Sequence, residues 1–437
     1  MADEKVVTTE FLKDVLPAVE ECILDKAKKN SPSAVALEPA EDDIPIVYIS
    51  GTIPQTKDLV KGELEYVSKA ERFHAYTLIK LQGDSTLELP KKNLAFYMYS
   101  DEYRSKVLDK DFRGWGKHNN FVLKADYNDI THTRNVVCAR LWGQIMRSRA
   151  DFDSLPEGLR NSPNCGAIDG FPVKVYIDSV YQGLYNWTIG KCDWMFGMDK
   201  NNPNHAVLGA EINDNWDDTL EYNPCNFNAD WSGEDGDAWS IEVGNPSDAL
   251  TDSFNAVVES MRVAWDTGDY SEFETAMDKQ TMLDYYIFQE VILGVDGLAK
   301  NMNLATYDMV RWYPLAYDLD CTFDMDFEGY LLNGATEYLT DLAYNGYSKL
   351  HMFAWEDYWD EYRERYAELR KTVLSYENIV GEFEKYLAVA DEDLRIKDTV
   401  AYPYIPEATT NTLDYIRAFV KARLAVLDME NMLEVDE

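Results

Sequence analysis

Basic residues are scarce in this 437-residue chain: 41 Lys and Arg stand against 79 Asp and Glu, a formal charge of −38. No stretch gathers Lys and Arg with interleaved aromatics, and such an excess of negative charge repels phosphate backbones and anionic membrane surfaces. Nucleic-acid binding through a basic face is excluded. Cysteines are few and far apart. Cys22, Cys138, Cys165, Cys192, Cys225 and Cys321 form no CxxC pair and no dense framework, which argues against a zinc module or a disulfide scaffold and for buried reduced thiols. Nowhere do 18 apolar residues follow one another, and the N-terminus MADEKVVTTEFLKDVLPAVEE has no basic region leading into an uninterrupted apolar one. The expectation is neither a cleavable secretory signal nor a membrane span. The triplet Asn186, Trp187, Thr188 fits a glycosylation sequon; without a secretory route it reads as a chance match.

What is present describes a folded protein. Hydrophobic residues make up 46% and aromatics 13%, with 29 Tyr and 11 Trp, types that disordered chains lack. The length suggests two or three lobes. Thr9 can cap a short helix through Phe11, Leu12, Val15, Val19 and Ile23, interrupted at Pro17, and residues 26–44 then mix charge, Ser and Pro like a linker. Residues 1–40 read as a helical arm outside the main fold. Short β-branched and aromatic runs at 45–50, 72–81 and 94–99 predict strands, residues 172–187 a hairpin turning at Asp178 and Ser179, and 128–149 a helix through Ile130, Val136, Val137, Leu141 and Ile145.

Between Asn201 and Met261 there are 13 acids and no Lys or Arg, which predicts an irregular acidic insertion, solvated or facing a cation or a basic partner. Beyond residue 265 helical periods dominate, at 282–295, 350–373 and 411–429, where Leu413, Ile416, Val420, Leu424 and Leu427 share a face. The fold class expected is α+β: a strand-rich lobe over 41–265 and a helical lobe over 266–437. No internal repeat is visible.

The segment 288–326, FQEVILGVDGLAKNMNLATYDMVRWYPLAYDLDCTFDMD, carries the chemistry. A helix ends near Val295, Asp296 is followed five positions later by Asn301, and a hairpin turning at Asp308 separates these from Asp318 and Asp320. Phosphoryl transfer uses this order, with a base accepting the acceptor hydroxyl's proton and an Asn and an Asp holding a divalent cation. Asp and Asn also favour turns, so the spacing alone leaves ordinary turn chemistry open. Calcium loops are excluded, because Phe323 and Asp235 stand where the EF-hand turn needs Gly.

Four ordered stretches carry a resemblance. The 296–320 segment, with Asp296, Lys300, Asn301 and YDLD, is similar to the D...KN and WDxD motifs of the spore-coat-H-type (CotH) kinase family, an atypical branch of the protein-kinase-like fold. KLQGDSTLELPKKN (80–93), LKADYNDITHTRN (123–135) and FPVKVYIDSVYQGLYNWTIGKCDW (171–194) resemble its RGNSS...KK, DxTxxRN and PVxVYINGxYxGLY motifs. CDWMFGMD looks like members carried by bacteriophages. The resemblance implies a two-lobed kinase-like fold, ATP and Mg²⁺ as cofactors, Asp296 as catalytic acid/base, Asn301 with Asp318 or Asp320 as metal ligands, and Lys91 or Lys92 on the phosphates. Neighbouring residues on a strand face opposite ways, so at most one of the two lysines points into the cleft. Arg134 and Asn135 lie on the helix of the second motif, where Arg134 braces either a phosphate or a structural acid.

The chain departs from the family at Gln82, Gly83 and Asp84, at Ile189, Gly190 and Lys191 where a Glu is common, and at Asp324 where Gly is usual; Gly114 and Gly116 in RGWG only weakly imitate a glycine-rich loop. Two functions follow as expectations. One is a Ser/Thr protein kinase acting on a basic protein substrate. The other is a non-catalytic virion or surface protein that uses the scaffold for assembly or adhesion, with residues 1–40 docking on a partner. Either would reside in a virion or in host cytoplasm.

Overall fold

The structure is a computed structural model that describes residues 44–431, apart from 211–238, 343–348 and single positions at 84, 299, 391, 406, 408 and 409. The arm expected over residues 1–40 lies outside the described residues.

The strand-rich runs close into a seven-stranded barrel. Its members in spatial order are β1 (Ile46–Gly51), β2 (Val60–Val67), β3 (Arg72–Gln82), β4 (Asn93–Tyr99), β7 (Asn120–Lys124), β9 (Val180–Ile189) and β8 (Gly170–Ile177). A separate pair, β5 (Lys110–Asp111) and β6 (Lys117–His118), flanks the RGWG turn. All barrel neighbours are antiparallel except β1 and β8, whose parallel pairing closes the ring. The β8–β9 hairpin turns at Asp178 and Ser179 as expected, both at positive φ, the combination that a tight two-residue hairpin turn requires. Trp187 sits at the centre of the barrel, with the rings of Phe96, Phe112 and Phe121 centred 4.9, 5.0 and 5.2 Å away. The sequon is closed by this packing: Asn186 is buried, and its amide donates to the His132 carbonyl and to Asp126, both at 2.7 Å.

A second sheet runs β11 (Trp239–Val243), β10 (Ala206–Ala210), β12 (Met302–Thr306), β13 (Trp312–Ala316). It joins strands from both sides of residue 265, and one contiguous core runs from the barrel into the helices. The described parts of the acidic stretch, residues 201–210 and 239–261, are more regular than the composition suggests, and residues 211–238 lie outside the described residues. Ala206–Ala210 is wholly buried, and residues 248–267 form a 20-residue helix capped by Ser247, whose side chain accepts from Leu250 N–H. Its buried residues Leu250, Phe254, Val257, Met261 and Ala264 recur every three or four positions, a period masked in the sequence by the acids between them.

The helices of ten residues or more among the described residues are α1 (Arg134–Arg147), α2 (the 248–267 helix), α3 (Lys279–Ile292), α4 (Trp359–Arg370), α5 (Tyr376–Leu387), α6 (Glu392–Ala401) and α7 (Leu413–Glu430). The mixed α and β content agrees with the sequence reading. Cys138, Cys165, Cys192 and Cys321 are free thiols. No helix among the described residues is long and apolar enough to cross a membrane.

Candidate active site

The hairpin of β12 and β13 builds the site. Helix α3 stops at Ile292, three residues before the expected end, because Leu293 takes a left-handed conformation (φ 49°) and its N–H returns to the Gln289 and Glu290 carbonyls. The chain then folds tightly over Gln289: a Cβ on Gly294 or Gly297 would fall 1.9 or 2.4 Å from the Gln289 amide oxygen. Tyr285 OH donates to the Gly297 carbonyl at 2.6 Å and holds this loop to the helix. Asp296 emerges here, and its Oδ2 accepts from Asn301 Nδ2 at 2.6 Å. Because Met302 pairs with Ala316 at the open end of the hairpin, Asn301 and Asp318 leave the sheet side by side. Both take left-handed backbone, at φ 54° and 51°, which Asn and Asp tolerate better than other side chains.

The second motif holds the acids in place from behind. Asp129 accepts from the backbone N–H groups of Thr131, Thr133 and Arg134 and from Arg134 Nη1 at 2.7 Å. Arg134 in turn donates to the carbonyls of Thr322 (2.8 Å) and Phe323 (3.2 Å), and Asn135 Oδ1 accepts from Leu319 N–H at 3.3 Å. Arg134 is wholly buried. It braces the 318–323 segment, with three of its donors turned to protein, as the structural alternative read from the sequence has it. Asp324, at the family's glycine position, is also left-handed (φ 73°), and its side chain accepts from Gly334 N–H and Tyr415 OH. Those bonds account for a non-glycine residue there.

The lysine pair, which the structure places just ahead of β4 and not in a strand, divides to opposite sides, and in neither case does it meet the acids. Lys91 turns outward and is 2% exposed; its three N–H donors go to the Ala125 carbonyl, the Leu184 carbonyl and Asp398 Oδ2 at 2.7 Å. An ammonium has three donors, so although Lys91 borders the recess beside Asp320 and Asp126, it has none left for a phosphate. Lys92 turns inward, to the mouth of the barrel. The cation that meets the acids is Lys124, at the end of β7, with Nζ 3.2 Å from Asp318 Oδ1. Sequence reasoning missed it. Its one signal was its place just ahead of the DxTxxRN-like residues, on the outward parity of a strand with Phe121 and Leu123 turned to the core.

Electrostatics separates the two acids after the hairpin. Burial pushes Asp320 up, the Asp318 carboxylate adds to it, and the carboxyl lies at about 7. Burial also works to raise Asp318, but the Lys124 ammonium outweighs it and holds the carboxyl below its ordinary value, with Lys191 and Lys300 contributing. Lys191, at one of the family departures, lies over the Tyr317 ring at 4.3 Å and pairs with Glu242 of β11 at 2.5 Å. The acidic stretch thus delivers one carboxylate to the edge of the site.

Asn301 gives its amide nitrogen to Asp296, which leaves its carbonyl oxygen for another partner; with the oxygens of Asp318 and Asp320 it would make up an all-oxygen donor set of the kind Mg²⁺ prefers.

No curated protein matches the chain. The family model described as CotH kinase protein matches residues 79–427, which take in all four motif-like stretches, the Asp129–Arg134 brace and the acid hairpin. The chain belongs to the CotH kinase family.

Proposed function

We propose that this chain is an ATP- and Mg²⁺-dependent protein kinase that transfers the γ-phosphoryl group to Ser or Thr hydroxyls, with the strand-rich and helical parts serving as the two lobes. The observation that carries the reading is the union of Asp296, Asn301 and Asp318 at the open end of one hairpin, with Lys124 on Asp318. Asp296 takes the proton of the acceptor hydroxyl. The freed oxygen then bonds to the γ-phosphorus as the bond to the bridging oxygen of the departing ADP breaks. Lys124 exchanges Asp318 for phosphate oxygens and balances their charge. Asn301, Asp318 and Asp320 would hold Mg²⁺, which when bound supplies charge neutralisation between acids and triphosphate. A formal charge of −38 favours a basic protein as substrate through long-range attraction that weakens with salt.

Calorimetry with ATP in the presence and absence of EDTA is the first test, since acids of this density repel a triphosphate unless a cation intervenes. Asp318→Ala weakens nucleotide binding more than Asp296→Ala does, because a metal ligand acts on the bound state and a base mainly on the transition state. Equal affinity with and without EDTA removes the metal assignment. Nucleotide binding without transfer, to itself or to basic Ser-containing proteins, favours a scaffold serving assembly or adhesion.

A further inference from the structure

Where β6 runs into β7, His118 meets the chain that follows β9. The strands β7 and β9 pair antiparallel with Phe121 opposite Ile189, and the same register carried past the strand ends puts His118 opposite Cys192. Cys192 and Asp193 open a short 3-10 turn at Asp193–Phe196. One ligand-bearing atom from each of His118, Cys192 and Asp193 lies within 4.8 Å of the other two, and all three residues are half-buried. Ligands about 2.0–2.3 Å from a tetrahedral zinc stand about 3.5 Å apart, so small side-chain rotations bring these three onto one ion. No local spacing in the sequence signals the set, because pairing of the barrel strands assembles it.

The surroundings hold the three side chains in place without using them up. The His118 ring lies flat on the Trp194 ring, with centroids 4.4 Å apart and planes at 3°, and Trp194 meets Phe121 of the core edge-on. The Asp193 carboxylate accepts no hydrogen bond and forms no ion pair among the described residues. Cys192 is the one free thiol among the described cysteines that is not fully buried. Burial pushes it up to about 11 against the pull of the Trp194 and Met195 N–H groups and the Asn120 side chain; a metal takes the place of the thiol proton, which goes to solvent. At the ring, Nδ1 accepts from Asn120 N–H at 3.0 Å. A neutral imidazole has one lone pair, so that hydrogen bond is given up as the ion binds. One thiolate and one carboxylate then balance a divalent charge.

We propose that His118, Cys192 and Asp193 bind a Zn²⁺ ion, with the fourth position open to solvent. Imidazole nitrogen, thiolate sulfur and carboxylate oxygen are the three ligand types of zinc in proteins, and the thiolate selects against Mg²⁺. The ion ties the β5–β6 pair to the chain after β9. No step of the proposed phosphoryl transfer enters this assignment.

The test is titration of the chelator-treated full chain with Zn²⁺ against a chromophoric chelator, in a phosphine reductant and with excess Mg²⁺ present. One Zn²⁺ binds per chain, tighter than about 1 μM, and Co²⁺ in its place gives the near-ultraviolet band of a cobalt–thiolate bond. Cys192→Ala abolishes that band. Asp193→Ala, and His118→Phe, which keeps a ring on Trp194, each weaken Zn²⁺ by more than the roughly 10–100-fold that loss of an outer neighbour costs. Circular dichroism reports that the fold is kept, and three variants guard against failure of one to fold. Asp318→Ala binds Zn²⁺ like the unmodified chain, so this result and the kinase reading can fail separately. Zn²⁺ bound no tighter than Mg²⁺, a thiolate band kept by Cys192→Ala, undiminished binding by folded His118→Phe or Asp193→Ala, or loss of binding in Asp318→Ala would each overturn the proposal.

Discussion

Two groups of charged side chains lie on the outer side of the same barrel wall, and they are built on opposite rules. Around Asp398 the buried charges are paired: its carboxylate accepts from Lys91 at 2.7 Å, Leu184 N–H at 2.8 Å and His132 at 3.1 Å, and Lys91 and Asp398 are each 1% exposed in their side chains. Burial works to raise the Asp398 carboxyl, but Lys91 and His132 outweigh it and hold it at about 2. Around Asp318 the sum does not close. Asp320 lines a recess that Asp126 and Lys124 also border, Asp318 keeps 34% of its side-chain surface with Lys124 at 3.2 Å, and Asp320 is driven up to about 7. Buried charges persist when every donor and acceptor is matched, so the first group is understood as structure. An excess of charge turned towards solvent needs another occupant, which is the mark of a site.

The largest expected difference between the two groups is in activity. Asp296→Asn keeps the hydrogen bond to Asn301 but removes the base, and phosphate incorporation measured by mass spectrometry falls by about 10²- to 10⁴-fold while urea unfolding is unchanged. Asp398→Ala does the reverse. It leaves the Lys91 ammonium buried without its anion, and loss of one partner of a buried pair costs roughly 3–5 kcal/mol. Urea unfolding of the two variants separates the groups. Comparable destabilisation by both would mean that Asp296 is also structural.

The same contrast explains what could be read in the sequence. The acid hairpin was legible because it is local: the strands on either side of Asp308 fix where Asn301 and Asp318 emerge, whatever the rest of the chain does. The Asp178–Ser179 turn and the strands at 46–51, 72–82 and 93–99 were legible for the same reason. The Lys91 pairing was not, since Asp398 lies 307 residues away and nothing near Lys91 signals it. Closure of the barrel through a parallel β1–β8 pair is equally non-local. In the 239–261 part of the acidic stretch, charge masks a period that burial makes plain, and the Lys124 contact with Asp318 spans 194 residues, so nothing local to Lys124 signals it.

A third expectation uses pH. Asp398 has its carboxyl lowered on folding, from an ordinary 3.8 to about 2, so its contribution is fully present above about pH 4 and is lost as pH falls through about 2. The linkage is on the order of 2 kcal/mol. Equilibrium unfolding between pH 6 and pH 2 shows it as a loss of stability that Asp398→Asn, measured against its own value at pH 6, lacks. An identical acid slope in this variant would place the titrating group elsewhere.

The smallest effect is the most discriminating for the comparison. Asp318→Asn removes the Lys124 ion pair, and if that pair were a strut like Lys91–Asp398 the protein would lose several kcal/mol. It differs from that strut: Asp318 keeps one-third of its side-chain surface in solvent although Lys124 keeps 12%, and Lys124 keeps Asp320 and Asp126 as electrostatic neighbours when the Asp318 charge is removed. The substitution also relieves the repulsion that raises Asp320. The two effects oppose each other, so the expected change in unfolding free energy is under about 1 kcal/mol in either direction. A loss of the size expected for Asp398→Ala would show that the charges around the hairpin support the fold to the same degree as those around Asp398.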